Sequence, residues 1–198
     1  LNSSLRYLRS TWNISEVRGP LNVTGTQVRD SRFVAFKGKM PRVGRDAFVA
    51  DTARVIGDVQ LGDSCSVWYG AVIRGDVFHV RIGHNVNIQD MAMIHVTTDR
   101  FETCIEDDVT IGHRASLHGC TVRRGALVGM GATVLDEAVV GEGAMVGAGA
   151  LVTPGTQIEP HTLWTGVPAK FRRLLTPDER AHLTGSAAHY VVIASAYL

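Results

Sequence analysis

Three histidines, His95, His113 and His118, fall within the short stretch Ile94 to Cys120. Imidazoles are nitrogen donors that are largely neutral near pH 7, and three of them close together on a rigid frame can hold a transition metal. Three neutral imidazoles leave a fourth position open, which is the pattern of a catalytic zinc rather than of a closed structural one. A lone histidine on an outward face is more often a solvated surface residue. The weight of the reading therefore rests on whether the three share a frame.

The frame is a strict six-residue period. Val43, Val49, Val55, Leu61, Val67 and Ile73 form one run, which resumes after three extra residues at Ile82, Ile88 and Ile94. It resumes again at Ile105, Ile111 and Leu117, drops one residue, and continues from Val122 through Val128, Val134, Val140, Val146 and Val152 to Ile158. A small residue commonly stands two places earlier, as at Ala53, Cys65, Ala71, Ala92, Ala115, Cys120 and Ala132. Residues two apart in a strand share a face, so both series point inward. Glycine often follows the aliphatic residue, as at Gly44, Gly62, Gly83, Gly112, Gly129, Gly141 and Gly147. Those positions are expected to be tight bends with dihedrals that glycine alone adopts freely. Short repeats of fixed period indicate a parallel β-helix, an all-β fold of stacked triangular coils of three hexads each. The period alone leaves the handedness open, and it excludes a heptad coiled coil.

On this frame His95 follows Ile94 and His118 follows Leu117, so both share one phase and point outward. Their separation is one coil plus five residues, which a polar loop within Thr97 to Cys104 absorbs. The two should stack on one face in neighbouring coils, about 4.8 Å apart. His113 lies two residues after Ile111, on the preceding hexad and hence another face. It is placed to reach the ion of a neighbouring chain, which predicts a metal site shared across a subunit interface.

Other polar groups cluster nearby. Arg74 and Asp76 share a strand face, either as a surface ion pair of little value or as an interface salt bridge beside the metal. Asn87, Gln89 and Asp90 lie one coil before His113 and His118. They read either as a turn or as groups that orient metal-bound water and support its ligands. Cys65 and Cys120 occupy small inward positions and read as packing residues. The role of Cys104 is open. His79, His84, His161, His182 and His189 lack such company and read as surface or packing residues.

The rest of the chain divides into an N-terminal extension (1–32), the β-helix (33–172) and a C-terminal helix (173–198) packed alongside. In the extension, Leu5, Leu8 and Trp12 form one face, with Arg6, Arg9 and Arg18 against a single acid, Glu16. It reads as a solvated tail, as a basic segment docking on a partner or membrane, or as residual targeting sequence. Thr176-Pro177-Asp178-Glu179 is a helix start, with Gly185 a weak point further along. A net charge of +1 gives no sign of nucleic-acid binding. Three cysteines without a Cys-x-x-Cys pair favour a reducing compartment.

The stretches VIGDVQLG, SVWYGAVIRGD, NIQD, IGHRASLHGC, VGMGAT and GVPAKFRRL resemble the gamma-class carbonic anhydrase family from residue 43 to about 190. The resemblance implies a left-handed β-helix in a homotrimer or a heterotrimer with related chains. It implies Zn2+, or Fe2+, at each subunit interface, held by His95 and His118 of one chain and His113 of the next. It places Arg74, Asp76, Gln89 and Asp90 on the family's motif positions. The implied activity is reversible hydration of carbon dioxide to bicarbonate by a metal-bound hydroxide. Gln89 would hold the hydroxide and Asp90 tune the charge around it. SVWYGAVIRGD, GCTV and the LW-x-G-x-PAKF pattern look most like mitochondrial members associated with respiratory complex I. That implies the matrix side of the inner membrane, with a cytoplasmic protein as the alternative. Two departures stand out. The loop after His95 is short, with Asp99 and Glu102 as its acids, and Val77 occupies a place where active members commonly carry an acid. Both count against rapid turnover and leave the metal site intact. They keep open a second reading, a structural subunit of complex I with low or no activity. A hexapeptide acyltransferase shares the fold, but it would leave three clustered ligands unexplained.

Overall fold

The computed structural model describes residues 30–198. The basic segment Leu5 to Trp12 lies outside the described residues. The chain from Phe33 winds as a left-handed parallel β-helix of about seven coils. Each coil contributes one short strand to each of three faces, and each strand pairs in parallel with its counterpart one coil on. One face carries Val72–Ile82, Met93–His95, Ser116–His118, Thr133–Val134 and Leu151–Val152 in sequence. A second carries Phe48–Val49, Ser66–Val67, Asn87–Ile88, Thr110–Ile111, Leu127–Val128 and Met145–Val146.

The six-residue series is the axis of the core. Val55, Val67, Ile73, Ile88, Ile94, Ile111, Val122, Val128, Val134, Val140, Val146 and Val152 are sealed from solvent, and so are the small residues Ala53, Cys65, Ala71, Ala115, Ala132, Ala138 and Ala144. β-branched residues suit this site because their stiff side chains stack between coils with little loss of rotamer freedom. The three extra residues before Ile82 sit in the long strand Val72–Ile82, where the pairing with Arg54–Leu61 shifts register between Gly57 and Val59.

The glycines after the aliphatic residues serve a purpose other than the one expected. They do not adopt positive φ. A Cβ on Gly112 would lie 2.7 Å from Met130 N, and one on Gly129 would lie 2.6 Å from Ala148 N. The coils approach too closely there for any side chain. The left-handed residues come two places later, at Asp46, Ser64, Asn85 and Arg114.

The last coil ends in an antiparallel hairpin, Thr162–Thr165 with Lys170–Leu174. The helix Pro177–Ser195 follows, and it runs unbroken through the exposed Gly185. Thr176 Oγ1 accepts from Glu179 N at 3.2 Å, and Glu179 Oε2 accepts from Thr176 N at 2.9 Å, which closes a capping box. Leu183, Ala187 and Ala194 are buried against the second face. Tyr190 stands edge-on to Trp68 at 5.9 Å, and Trp68 packs on Phe48 at 5.1 Å. No helix among the described residues is long and apolar enough to cross a membrane.

Candidate metal centre

Ile94 pairs with Leu117, and both point into the core, so alternation along the strands turns His95 and His118 outward as a pair. Their ring centroids lie 5.1 Å apart, and His95 Nδ1 is 3.2 Å from His118 Nε2. Two nitrogens bound to one tetrahedral zinc at 2.0–2.1 Å stand about 3.3 Å apart, so the facing atoms fit two corners of such a site.

The far side of each ring is held by a carboxylate. His95 Nε2 is 3.1 Å from Asp76 Oδ1, and His118 Nδ1 is 2.7 Å from Asp136 Oδ1. A carboxylate accepts a proton-bearing nitrogen, so these contacts assign the N–H of each neutral ring to the far side. The lone pairs of His95 Nδ1 and His118 Nε2 are then turned on each other. Two lone pairs at that distance repel unless a cation lies between them, and this donor set fits a metal ion.

Each carboxylate is itself anchored. Arg74 Nη1 donates to Asp76 Oδ2 at 2.6 Å, and Val77 N donates to Asp76 Oδ1 at 2.9 Å. Burial opposes the charge on Asp76, but the hydrogen bonds from Arg74 and His95 and the charge of Arg74 prevail, bringing its carboxyl down to about 2. His95 is shifted below the ordinary histidine value, first by burial and then by the charges of Arg74 and His118, against the hydrogen bond to Asp76. A ligand must be neutral to bind, and this environment favours that form. Thr97 Oγ1 donates to Asp136 Oδ2 at 3.0 Å, which fixes the second carboxylate.

His113 occupies the corner turn between Thr110–Ile111 and Ser116–His118, strands of different faces. It too has a carboxylate behind it, with Nδ1 2.9 Å from Asp90 Oδ2, and its side chain is 43% exposed. Its backbone N–H donates to Gln89 Oε1 at 3.0 Å, and Gln89 Nε2 donates to Asn87 Oδ1 at 3.2 Å. The large apolar residues Tyr69, Met91 and Met130 are exposed. Met130 also borders a shallow depression with His113, Arg114 and Gly131. Among the described residues of one chain, no three histidine, cysteine or acidic side chains converge into a metal site.

The expected residues thus form two groups. Arg74, Asp76, His95 and His118 make one contact network, while Asn87, Gln89, Asp90 and His113 make another around the corner. Asp136 and Thr103 escaped the sequence reading. Asp136 follows Leu135, the residue in register with His118 one coil on, so the repeat places it beside His118 once the stacking is known. Thr103 is buried in the strand Thr103–Ile105, and its hydroxyl donates to His95 O and accepts from Gly119 N. No short-range pattern marks it. The thiols are poor nucleophiles: burial pushes Cys65 and Cys120 up to about 12 and Cys104 up to about 11. Of the remaining histidines, His79 pairs with Glu102 at 2.6 Å and His84 Nδ1 accepts from Asp63 N at 2.9 Å.

No family model matches the chain. It is 48% identical over 161 residues to gamma carbonic anhydrase 2, mitochondrial, of Arabidopsis thaliana, covering 79% of this chain and 58% of that protein. It is 46% identical over 156 residues to a carbonic anhydrase of Geobacillus kaustophilus, covering 79% of this chain and 85% of that one. Among solved structures, a hexapeptide transferase family protein from Anaplasma phagocytophilum superposes with a TM-score of 0.82 at 43% identity, covering 85% of this chain and 99% of that one. The chain spans about three fifths of the length of the plant relatives that it matches. With nearly half of its residues identical to those relatives over most of its length, the chain belongs to the gamma carbonic anhydrase family.

Proposed function

We propose that this chain is a subunit of a metal-dependent carbonic anhydrase that interconverts carbon dioxide and bicarbonate at a site completed between neighbouring subunits of a trimer. One observation carries the reading: His95 Nδ1 and His118 Nε2 face each other at 3.2 Å, with Asp76 and Asp136 behind them. His113, presented at a different corner with Asp90 behind it, is the third donor for the site of the adjacent chain. Zn2+ suits three neutral imidazoles, and Fe2+ accepts the same set. When bound, such an ion supplies Lewis acidity and lowers the pKa of a coordinated water from about 15.7 toward about 7.

The chain's own residues do the rest. Asp76, Asp90 and Asp136 fix ring tautomer and rotation, so that a lone pair is presented in each case. Gln89 uses its oxygen on His113 N and one N–H on Asn87, which leaves a second N–H to hold an oxygen of the substrate or of the attacking water. Asp90 adds negative charge beside His113. Asp99 and Glu102, or buffer, take up the released proton.

The plant relatives' names support a mitochondrial protein, and the bacterial relatives support the cytoplasmic alternative. The matrix side of the inner membrane and respiratory complex I as a partner rest on the resemblance of SVWYGAVIRGD and GCTV to complex I-associated members. Val77 and the short loop closed by the Thr97–Phe101 bridge favour a second reading, a subunit of that complex with little turnover.

Mixing subunits tests the shared site. Homotrimers of His113→Ala and of His118→Ala each lack one ligand at every site. A mixed trimer contains a junction where His95 and His118 of the first variant meet His113 of the second, and that junction should regain tight zinc binding. Zinc content of mixed trimers no better than either parent would sink the shared site. Carbon dioxide hydration by the wild-type protein then separates the enzyme from the structural subunit.

A further inference from the structure

The polar residues beneath the C-terminal helix form one continuous chain that ends at the candidate site. Ser186 Oγ, on the helix, is 3.2 Å from Thr110 Oγ1. Asn87 Nδ2 donates to Thr110 Oγ1 at 2.8 Å, Gln89 Nε2 donates to Asn87 Oδ1 at 3.2 Å, and Gln89 Oε1 accepts from His113 N at 3.0 Å. Asn87, Gln89 and Thr110 are 1%, 7% and 5% exposed, so water does not compete freely for these groups.

The direction of the chain is set at one end. A backbone N–H can only donate, so His113 N requires the oxygen of the Gln89 amide to face it. The Gln89 nitrogen must then face Asn87, and Asn87 must present its oxygen there and its nitrogen to Thr110. Thr110 Oγ1, already accepting from Asn87, has its own O–H left to donate to Ser186 Oγ. The three bonds from His113 to Thr110 all point the same way, and the Thr110 O–H is free to extend that direction to Ser186 Oγ. Nothing within the second face replaces Ser186 as terminus, because the residue in register beyond Thr110 is Leu127.

We infer that Ser186 and Thr110 are positioning residues: through Asn87 they reinforce the orientation that the His113 N–H imposes on the Gln89 carboxamide, the one that leaves its free N–H for an oxygen at the metal site. The C-terminal helix is thereby part of the catalytic architecture and not only a cover on the β-helix. This assignment rests on the carbonic anhydrase reading for the consequence in turnover, but not for the hydrogen-bond chain itself.

The test uses the full zinc-loaded chain with Ser186→Ala, Thr110→Val and Thr110→Ser. Three readouts are taken: the side-chain amide resonances of Gln89, the exchange rate of the His113 amide, and kcat and KM for carbon dioxide hydration. Alanine is the best helix former, so Ser186→Ala should leave the fold at least as stable while it removes the terminus. The expected result is shifted Gln89 amide resonances and faster His113 exchange in Ser186→Ala and Thr110→Val, with wild-type values restored in Thr110→Ser. The kcat should fall about two- to tenfold, the value of one neutral hydrogen bond, with KM nearly unchanged. Gln89 resonances unmoved in both Ser186→Ala and Thr110→Val would overturn the assignment. So would shifted resonances with an unchanged kcat in an active enzyme. If the wild type shows no hydration activity while the resonances still respond, the carbonic anhydrase reading fails and the positioning chain stands.

Discussion

The strands Thr110–Ile111 and Leu127–Val128 lie one coil apart on the same face, with Thr110 opposite Leu127 and Ile111 opposite Val128. Their inward residues are interchangeable aliphatics. Their outward residues are not: Ser66, Asn87 and Thr110 in successive coils give way to Leu127, Met145 and Leu163. The histidine face makes the same change. Arg74, His95 and His118 each follow an inward aliphatic residue, and the next two coils carry Leu135 and Thr153 there. The scaffold is thus written on the inward parity of the strands, while the polar residues of the candidate site lie on the outward parity of the middle coils and in the corner turns beside them.

The largest effect should come from exchanging chemistry for its apolar counterpart. His95→Ala is expected to weaken zinc binding by more than about 100-fold, beyond what loss of a supporting partner costs. Leu135→Ala, two coils on at the same phase, should leave zinc content unchanged. Equal zinc loss in both would show that the middle coils are not special. The inward parity should respond by stability instead. Ile111→Ala empties a fully buried site and should cost about 2–5 kcal/mol in denaturant unfolding of the metal-free protein. Because repeat architectures couple mainly to nearest neighbours, the loss should centre on the flanking coils, readable by hydrogen exchange.

Asp136→Asn tests the support behind His118 alone. The change keeps the shape and removes the charge behind His118, so zinc affinity should fall about 10- to 100-fold with little change in folding. An unaltered affinity would mean that the 2.7 Å contact does not set the His118 tautomer.

The contrast also explains what could be read from the amino acids. The β-helix was legible because burial at a fixed period writes itself into every coil, from Val43 to Ile158. His95 and His118 were legible because they share a phase and a residue type. Asp136 was one coil away from being found, since an acid behind an imidazole matters only once the stacking is known. Thr103 and Ser186 left no trace, because a threonine under a strand and a serine on a helix are common for reasons unrelated to a site. The glycines misled for a physical reason. Composition at a corner shows that no side chain fits, but not whether dihedral strain or a neighbouring coil forbids it. At Gly112 it is the neighbour, so Gly112→Ala should cost about 1–3 kcal/mol through overpacking. A neutral result in thermal unfolding would mean that the coils can part at that corner.

The smallest effect is electrostatic, and it divides by pH. In metal-free protein the folded state holds Asp76 at about 2, below the ordinary 3.8. A depressed carboxyl contributes stability that is complete above about pH 4 and is lost as pH falls through about 2, because the unfolded chain takes up the proton first. The shift sets a ceiling of roughly 2 kcal/mol, which screening reduces to about 1 because the Arg74 partner is 39% exposed. His95, also lowered, works in a separate window. Its neutral form is favoured by the fold, so its contribution is present above the ordinary histidine value of 6.5 and declines as pH falls below it. Asp76→Asn should therefore flatten the stability profile between about pH 4 and pH 2. Near pH 6 the same variant should make the profile steeper, since loss of the Asp76 charge lowers the His95 pKa further. Urea unfolding of chelator-treated wild type and variant across this range reads both windows. Parallel profiles for the two proteins at every pH would show that the carboxylate behind His95 is not coupled to it, and the lone-pair argument for the metal pair would lose its first support.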